Sequence, residues 1–173
     1  MFPQVNAILE FFLKNPTSKQ HLREIARQTD FSPAGTLKSL KKLQKEGIIT
    51  QTKNRAVTIY KANTTSPKWL PLKRIYNLQS LYYCGLIQSL KESYNEPEAI
   101  VLFGSYAKGE DTEQSDIDIA IITKENASIG LKTFESRLSR KINIVEVDTA
   151  LSKNEFLNTL INGIVLEGYL TLP

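Results

Sequence analysis

Two aspartates and a glycine–serine pair in the second half of the chain have the types and spacing of a phosphate-binding metal site. Gly104 and Ser105 directly follow a short apolar run, residues 100–103, which predicts a buried strand. Asp116 and Asp118 begin a second apolar run, and because strand side chains alternate, their carboxylates lie on the same face. Adjacent carboxylates repel each other, and a hard cation such as Mg²⁺ relieves this repulsion while also binding phosphate oxygens. A glycine followed by serine lets backbone N–H groups and a hydroxyl approach those oxygens.

The elements that must hold these residues are a strand, a turn, a helix and a second strand, and their sequence resembles a known family. Gly104-Ser105, ten further residues and Asp116-x-Asp118 resemble the motif of the polymerase-beta-like nucleotidyltransferase superfamily, and most of all its minimal nucleotidyltransferase branch. The residues that extend the match are Tyr106, Ala107, Gly109, Ser115 and Ile117. The resemblance covers about the last 75 to 80 residues, which is the size of one small domain.

The resemblance implies a role for each matching residue. Gly104 would let the backbone approach a nucleoside triphosphate, with ATP the favoured nucleotide, and Ser105 would contact a terminal phosphate. Asp116 and Asp118 would coordinate Mg²⁺ ions that activate an attacking hydroxyl and hold the pyrophosphate leaving group. Lys108 either adds a positive contact or is an ordinary surface lysine.

The third strand departs from the family pattern. The family usually has a third aspartate there, in a context similar to residues 140–145 of this chain, where Asn143 stands. An amide can orient water or substrate, but it is a poor general base and a weak ion ligand. Glu146 and Asp148 fall on the opposite face of a regular strand, although a bulge could bring Glu146 round. The candidate catalytic residues are therefore Asp116, Asp118 and Asn143, and the resemblance supports nucleotide and metal binding more directly than catalysis.

The N-terminal half predicts three helices followed by a hairpin. Pro3 can open the first helix, Thr17 or Ser18 can cap the second, and Ser32-Pro33 supplies an N-cap and first residue for the third. The third helix places Leu37, Leu40 and Leu43 inward and ends at Gly47. Two alternating runs, residues 48–53 and 57–61, predict a two-stranded hairpin. This order resembles a winged helix-turn-helix domain, whose third helix lies in the major groove of double-stranded DNA.

Charge is distributed unevenly between the halves. From Met1 to Asn95 the chain has 15 Lys and Arg against 5 Asp and Glu, and from Glu96 to Pro173 it has 7 against 13. A basic half favours a polyanionic partner. The alternative is an amphipathic helix with ordinary surface lysines. The candidate DNA-binding residues are the outward positions of the third helix and the wing tip: Thr36, Lys38, Ser39, Lys41, Lys42, Lys45 and Arg55.

We predict three regions: a winged helix-turn-helix at residues 1–64, a linker helix at 65–95 and a nucleotidyltransferase-like domain at 96–173. The linker continues as one long helix to about Tyr94, with tyrosines that either pack on its own domains or form a homodimer seam. The expected fold class is α+β, with a C-terminal α/β sandwich whose mixed sheet carries helices on one side.

Composition limits the cellular compartments in which the protein is expected. The single cysteine, Cys84, excludes an intramolecular disulfide and is typical of a reducing environment. With only one histidine and one cysteine in the chain, a structural zinc site is excluded as well. No apolar run approaches the ~20 residues of a membrane span, and the N-terminus lacks the pattern of a secretion signal. We therefore expect a cytoplasmic protein without a membrane partner.

Three functions fit these observations. The first is a DNA-binding transcriptional regulator whose second domain binds Mg-nucleoside triphosphate as a sensor or transfers its nucleotide. The second is an antitoxin-type adenylyltransferase that modifies a hydroxyl on a protein acceptor or partner toxin. The third is a non-catalytic interaction protein that keeps the fold alone.

Overall fold

The computed structural model describes residues 6–54, 57–148 and 154–171, and the chain divides into two compact units, Met1–Lys73 and Arg74–Pro173. Each unit has its own sheet, one of three strands and one of four. Together with the helices they form the predicted α+β fold. Within the described ranges, no helix combines the length and apolar character that crossing a bilayer requires.

The first unit is a bundle of three helices with a small antiparallel sheet. Its elements are α1 (Ala7–Lys14), β1 (Lys19–His21), α2 (Leu22–Thr29), α3 (Pro33–Lys45), β2 (Ile49–Asn54) and β3 (Val57–Ala62). The sheet has the order β1-β3-β2, and β2 and β3 form the predicted hairpin, with Ile49 opposite Ala62. The core between the helices contains Ile8, Phe12, Ile25 and Leu40, which are inaccessible to solvent.

The helix boundaries of this unit follow from local hydrogen bonds. Ser32 caps α3 as predicted, because its hydroxyl accepts from the Gly35 N–H at 3.2 Å and Pro33 occupies the first turn. The prediction that Thr17 or Ser18 caps the second helix is wrong. Residues 19–21 pair with β3 as strand β1, so α2 begins only at Leu22. Pro3, the predicted start of the first helix, lies outside the described residues, and the Asn6 side chain caps α1 by accepting from the Ile8 N–H.

The region between the two predicted domains is not one long helix. Helix α4 (Trp69–Tyr83), within which the division between the units falls, ends before Gly85, and α5 (Leu86–Ser93) begins after it. Gly85 has a φ of 81°, a left-handed conformation that ends a helix and that glycine adopts without a Cβ penalty. The helix is therefore interrupted at Gly85, where helical periodicity alone predicted continuity.

The second unit is a mixed four-stranded sheet with the order β6-β5-β4-β7. The elements after α5 are β4 (Ala99–Phe103), α6 (Gly104–Lys108), β5 (Ile117–Ile122), α7 (Lys132–Leu138), β6 (Ile142–Val147), α8 (Asn154–Ile161) and β7 (Ile164–Gly168). Strand β4 is antiparallel to β5 and β7, whereas β5 and β6 are parallel. This arrangement confirms the predicted mixed sheet.

Both faces of this sheet are covered, so the prediction of helices on one side is wrong. Ile117, Ile119 and Ile121 of β5 face a large core that includes residues of α5, α6 and α7. Ala120 and Ile122 alternate to the other face, where Leu160 and Phe156 of α8 cover them. Strand β5 is consequently apolar on both faces except where Asp118 stands at its start.

Candidate functional site

Register brings the glycine–serine turn and the paired aspartates to one corner of the second sheet. Phe103, the last residue of β4, lies opposite Asp118, and Asp118 lies beside Asn143 of the parallel strand β6. Gly104 directly follows Phe103. The turn, the second aspartate and the asparagine are therefore neighbours because three adjacent strands present them at the same level.

Gly104 is required at this corner for two reasons. Its φ of 73° is left-handed, which favours a residue without a Cβ. A Cβ added there would lie 2.5 Å from Oδ2 of Asp118, closer than two such atoms can approach. The turn thus passes directly against the carboxylate, and only glycine allows that approach without displacing Asp118.

Asp116 and Asp118 converge on one side chain. The Asn143 Nδ2 donates to Oδ2 of Asp116 at 3.3 Å and to Oδ1 of Asp118 at 3.1 Å. Both aspartates are half-buried and Asn143 is exposed, so solvent reaches the group. The amide therefore lies between two negative charges and offsets part of their repulsion by hydrogen bonding to both.

The other acidic residues near the third strand lie elsewhere. Strand β6 pairs with β5 without a bulge from Ile142 to Val147. Glu146 accepts from the Tyr94 hydroxyl at 2.7 Å and from the Ala127 N–H at 3.3 Å, so it does not replace the missing third carboxylate. Desolvation, followed by the Glu146 hydrogen bond, raises the pKa of Tyr94 to about 12.

The arrangement fits a single Mg²⁺ ion that is completed by phosphate oxygens. Among the described residues, no group of three or more His, Cys, Asp or Glu side chains could hold a metal by itself. Two carboxylates with an open side suit Mg²⁺, which usually binds one or two protein carboxylates together with substrate phosphates. Ser105 is half-buried beside Gly104, whereas Lys108 is exposed at the end of α6.

A cavity adjoins the Asp116 side of the corner. Its volume is about 590 Å³, and it is open to solvent. Residues 113–116 form one wall, and Glu135 and residues 139–141 form the other. The lining contains both acidic and basic side chains, so its charge alone does not select one class of ligand.

Sequence reasoning missed a buried polar group beneath the turn. Asp111 and Asn77 are buried, and the Asn77 Nδ2 donates to Oδ1 of Asp111 at 2.7 Å. Tyr106 is buried nearby, and burial, reinforced by the charge of Asp111, raises the pKa of its hydroxyl. Asp111 lies between the two halves of the motif, but nothing in its local pattern separates it from the exposed acidic residues beside it.

The structure exposes the predicted DNA-binding lysines of α3, whereas it buries Thr36, so the prediction that Thr36 faces outward is wrong. Lys38, Lys41, Lys42 and Lys45 are exposed on α3. Thr36 is 0% exposed and points into the core, whereas Leu37, predicted to face inward, is 36% exposed.

Helical phase explains this correction. Residues 36, 40 and 43 have the i, i+4, i+7 spacing of one face, and the structure buries that face. The face that includes Leu37 is turned toward solvent. Ser39 is half-buried, and its hydroxyl accepts from Asn6 at 3.4 Å. Arg55 lies outside the described residues.

Comparison with known proteins confirms the resemblance of both halves. Residues 6–50 match the family model described as winged helix-turn-helix DNA-binding, and residues 86–168 match that described as polymerase beta, nucleotidyltransferase. A stretch of 37 residues is 57% identical to a Methanocaldococcus jannaschii protein named "Putative protein adenylyltransferase". That stretch is 21% of this chain and spans 36% of the relative's length.

Solved structures of regulators show a looser similarity. The zinc-responsive MarR family member ZitR of Lactococcus lactis is 19% identical with a TM-score of 0.41, over 53% of this chain and 63% of that one. Wild-type ZitR in complex with DNA is 21% identical with a TM-score of 0.40, over 52% and 62%. A possible transcriptional regulator from Methanosarcina mazei is 22% identical with a TM-score of 0.33, over 49% and 72%.

Proposed function

We propose that this chain, which joins a winged helix-turn-helix domain to a nucleotidyltransferase domain of the polymerase beta type, is a DNA-binding transcriptional regulator that binds Mg-nucleoside triphosphate. The observation that carries the nucleotide half is the corner where Gly104, Asp118 and Asn143 meet. A turn without a Cβ lies against one of two converging carboxylates, an arrangement that suits a metal-bound triphosphate.

Each residue of the corner has a separate task in this proposal. Asp116 and Asp118 hold the ion, which neutralises charge on the phosphates and would polarise them for transfer. Gly104 brings the backbone close to the phosphates, and Ser105 donates its hydroxyl to one of them. Asn143 orients both carboxylates through its amide. Its neutral side chain favours a site that binds and senses nucleotide over one that turns it over rapidly.

Titration calorimetry with ATP tests the nucleotide half. The wild-type protein should bind ATP in the presence of Mg²⁺ and lose that binding in excess EDTA, with GTP and CTP compared for base preference. Asp118→Asn should weaken binding at least about tenfold, because it removes one of two ion ligands. Asp30→Asn makes the same chemical change at the exposed C-cap of α2 and should leave the affinity unchanged. Absence of binding by any of these nucleotides with Mg²⁺ would refute this half of the proposal.

The exposed lysines of α3 support the DNA half. Lysine contacts phosphates as a point charge, so these side chains would neutralise backbone phosphates while the helix lies in the major groove. Fluorescence anisotropy with duplex DNA over a range of salt concentrations should give an affinity that falls linearly on a double-logarithmic plot. Affinity that is undetectable at low salt, or that does not depend on salt, would refute the DNA half.

The relative named as a protein adenylyltransferase supports a second candidate, transfer of AMP to a protein hydroxyl. The acceptor oxygen would attack the α-phosphorus, the bond to the β-phosphate oxygen would break, and pyrophosphate would leave as the acceptor proton passes to water or a base. Incubation of the protein with lysate and α-labelled ATP should then label a protein band that γ-labelled ATP does not label. Asp116→Ala should abolish the label, and no labelled band in the wild-type reaction would reject this candidate.

A further inference from the structure

Asp111 is a buried carboxylate in the middle of the segment that joins Gly104 to Asp116. Its side chain is 0% exposed. Burying an ionised carboxylate costs several kcal/mol unless hydrogen bonds and opposite charge compensate for it. A retained charge at such a position therefore needs specific partners, and these partners determine what the charge can hold in place.

The first partner is Asn77 of α4, which is 1% exposed. Its Nδ2 donates to Oδ1 of Asp111 at 2.7 Å and to the backbone carbonyl of Tyr106 at 2.9 Å. One amide nitrogen thus bonds to two points of the segment, one within helix α6 and one in the loop beyond it. Within the segment, bonds such as that from the Glu110 N–H to the Ser105 carbonyl are local. Asn77, by contrast, lies on α4 and is 34 residues away from Asp111 in sequence.

The second partner is Arg140, which precedes β6. Its Nη2 lies 3.9 Å from Oδ2 of Asp111, and its Nη1 donates to the Ser139 carbonyl at 2.9 Å. The next residue, Lys141, accepts at its carbonyl from the Ile117 N–H at 2.8 Å, directly after Asp116. Asp111 therefore connects the segment to the point where the strands that carry Asp118 and Asn143 begin.

We propose that Asn77, Asp111 and Arg140 form a clamp that positions the glycine–serine turn against the aspartates. These are positioning residues, since they bond to the backbone and to one another. Through Asn77 the clamp holds α6, whose first two residues are Gly104 and Ser105. Through Arg140 it holds the start of β6. Its role in nucleotide affinity rests on the proposed function, whereas its effect on the mobility of the segment does not.

Hydrogen exchange measured by mass spectrometry without nucleotide tests the clamp directly. Asp111→Ala and Asn77→Ala should each speed exchange in peptides covering residues 104–116 by about tenfold or more, because the segment opens locally once its anchor is lost. Asp111→Asn keeps the shape and can still accept from Asn77, so it should give an intermediate rate. The matched control is Ile122→Val, which thins the core at the far end of β5 and should leave the segment's exchange unchanged.

Nucleotide affinity supplies a second measurement with a distinct outcome. Asp111→Ala should weaken Mg-ATP binding about tenfold, Asp111→Asn should restore part of that loss, and Ile122→Val should bind as the wild type does. Unchanged exchange in the segment, or exchange that rises equally throughout the second unit, would overturn the clamp. If the wild-type protein binds no nucleotide, the proposed function fails while the exchange data still decide the clamp. If the alanine variants do not fold, both the hydrogen exchange and the nucleotide affinity are measured on Asp111→Asn.

Discussion

The two candidate binding surfaces of this chain are built in opposite ways. On α3 of the first unit, the four lysines are exposed. At the corner of the second unit, Asp118 lies against Gly104 and accepts a hydrogen bond from Asn143, and Asn77 bonds to both Asp111 and the Tyr106 carbonyl. The first surface is a set of separate charges, whereas the second is an interlocked group.

This difference has an energetic consequence. Exposed point charges act over several ångströms through solvent, so each contributes a small share and neighbours can substitute for one another. In a group of contacting residues, the position of each side chain depends on its neighbours, so a substitution at one residue displaces the carboxylates. We therefore expect single substitutions to have large effects at the corner and graded effects on α3.

The largest effect is predicted for Gly104→Ala. The added Cβ would lie 2.5 Å from Oδ2 of Asp118, and since that oxygen ends a side chain, the carboxylate rotates away and the ion loses a ligand. We expect Mg-ATP affinity, measured by calorimetry, to fall about 100-fold, the upper range for disturbing the groups around a metal.

Substitutions at two other glycines distinguish the steric contact with Asp118 from backbone strain as the cause of that loss. Gly130 has open space and no left-handed φ, so Gly130→Ala should have no effect on affinity. Gly85 has a φ of 81° and open space, so Gly85→Ala adds backbone strain alone and should lower stability without changing nucleotide affinity. If Gly104→Ala bound Mg-ATP as Gly130→Ala does, the contact between the turn and Asp118 would have no part in binding.

Asn143→Asp is predicted to change the corner in the opposite direction. Without a metal, the new carboxylate faces Asp116 and Asp118 and removes the donor that both accept from, so the melting temperature should fall. With Mg²⁺ present, a third ligand should raise the ion's affinity about tenfold, or roughly 1.4 kcal/mol.

Thermal denaturation over a Mg²⁺ titration measures both halves of this prediction. Asn162→Asp makes the same chemical change at an exposed position where the side chain bonds to the Asn158 carbonyl, and it should respond to Mg²⁺ as the wild type does. Equal Mg²⁺ responses of the two variants would show that Asn143 does not adjoin an ion site.

The same contrast explains what could be predicted from the sequence. Strand alternation predicts that Asp116 and Asp118 share a face, whereas the β4–β5 register that puts Phe103 opposite Asp118 comes from the fold. Helical phase is less certain over one turn, so Thr36 and Leu37 were assigned to the wrong sides of α3. Asp111 resembles an exposed loop residue until the fold supplies Asn77, which is 34 positions away. A periodic hydrophobic pattern shows that α8 has an apolar face, but it does not show which side of the sheet that face covers.

On α3, replacement of Lys42 by Gln should weaken DNA binding several-fold at low salt. Each phosphate contact that is lost should reduce the slope of log affinity against log salt by about 1, so the Lys41, Lys42 double variant should lose about 2. Lys132→Gln removes the same charge from an exposed helical position of the second unit and should leave the slope unchanged. Equal slopes for all three variants would remove these lysines from the interface.

The smallest predicted effect concerns Thr36. Because this residue of α3 is buried, its substitution should change the stability of the fold but not the affinity for DNA. Within the described residues its Oγ1 is buried without a hydrogen-bond partner, which costs free energy in the folded state. Thr36→Val keeps the shape and removes the hydroxyl, so the free energy of unfolding in urea should rise by about 1 kcal/mol.

Thr36→Ser is the matched change in the other direction, because it keeps the hydroxyl and deletes a buried methyl group, and it should lower the free energy of unfolding by about 1 kcal/mol. Neither variant should alter DNA affinity or its salt slope, since a side chain that is 0% exposed offers nothing to a phosphate. A loss of DNA affinity in Thr36→Val alone, with stability unchanged, would instead mean that the hydroxyl turns outward when DNA binds. The interface would then include the face of α3 that the unbound structure buries.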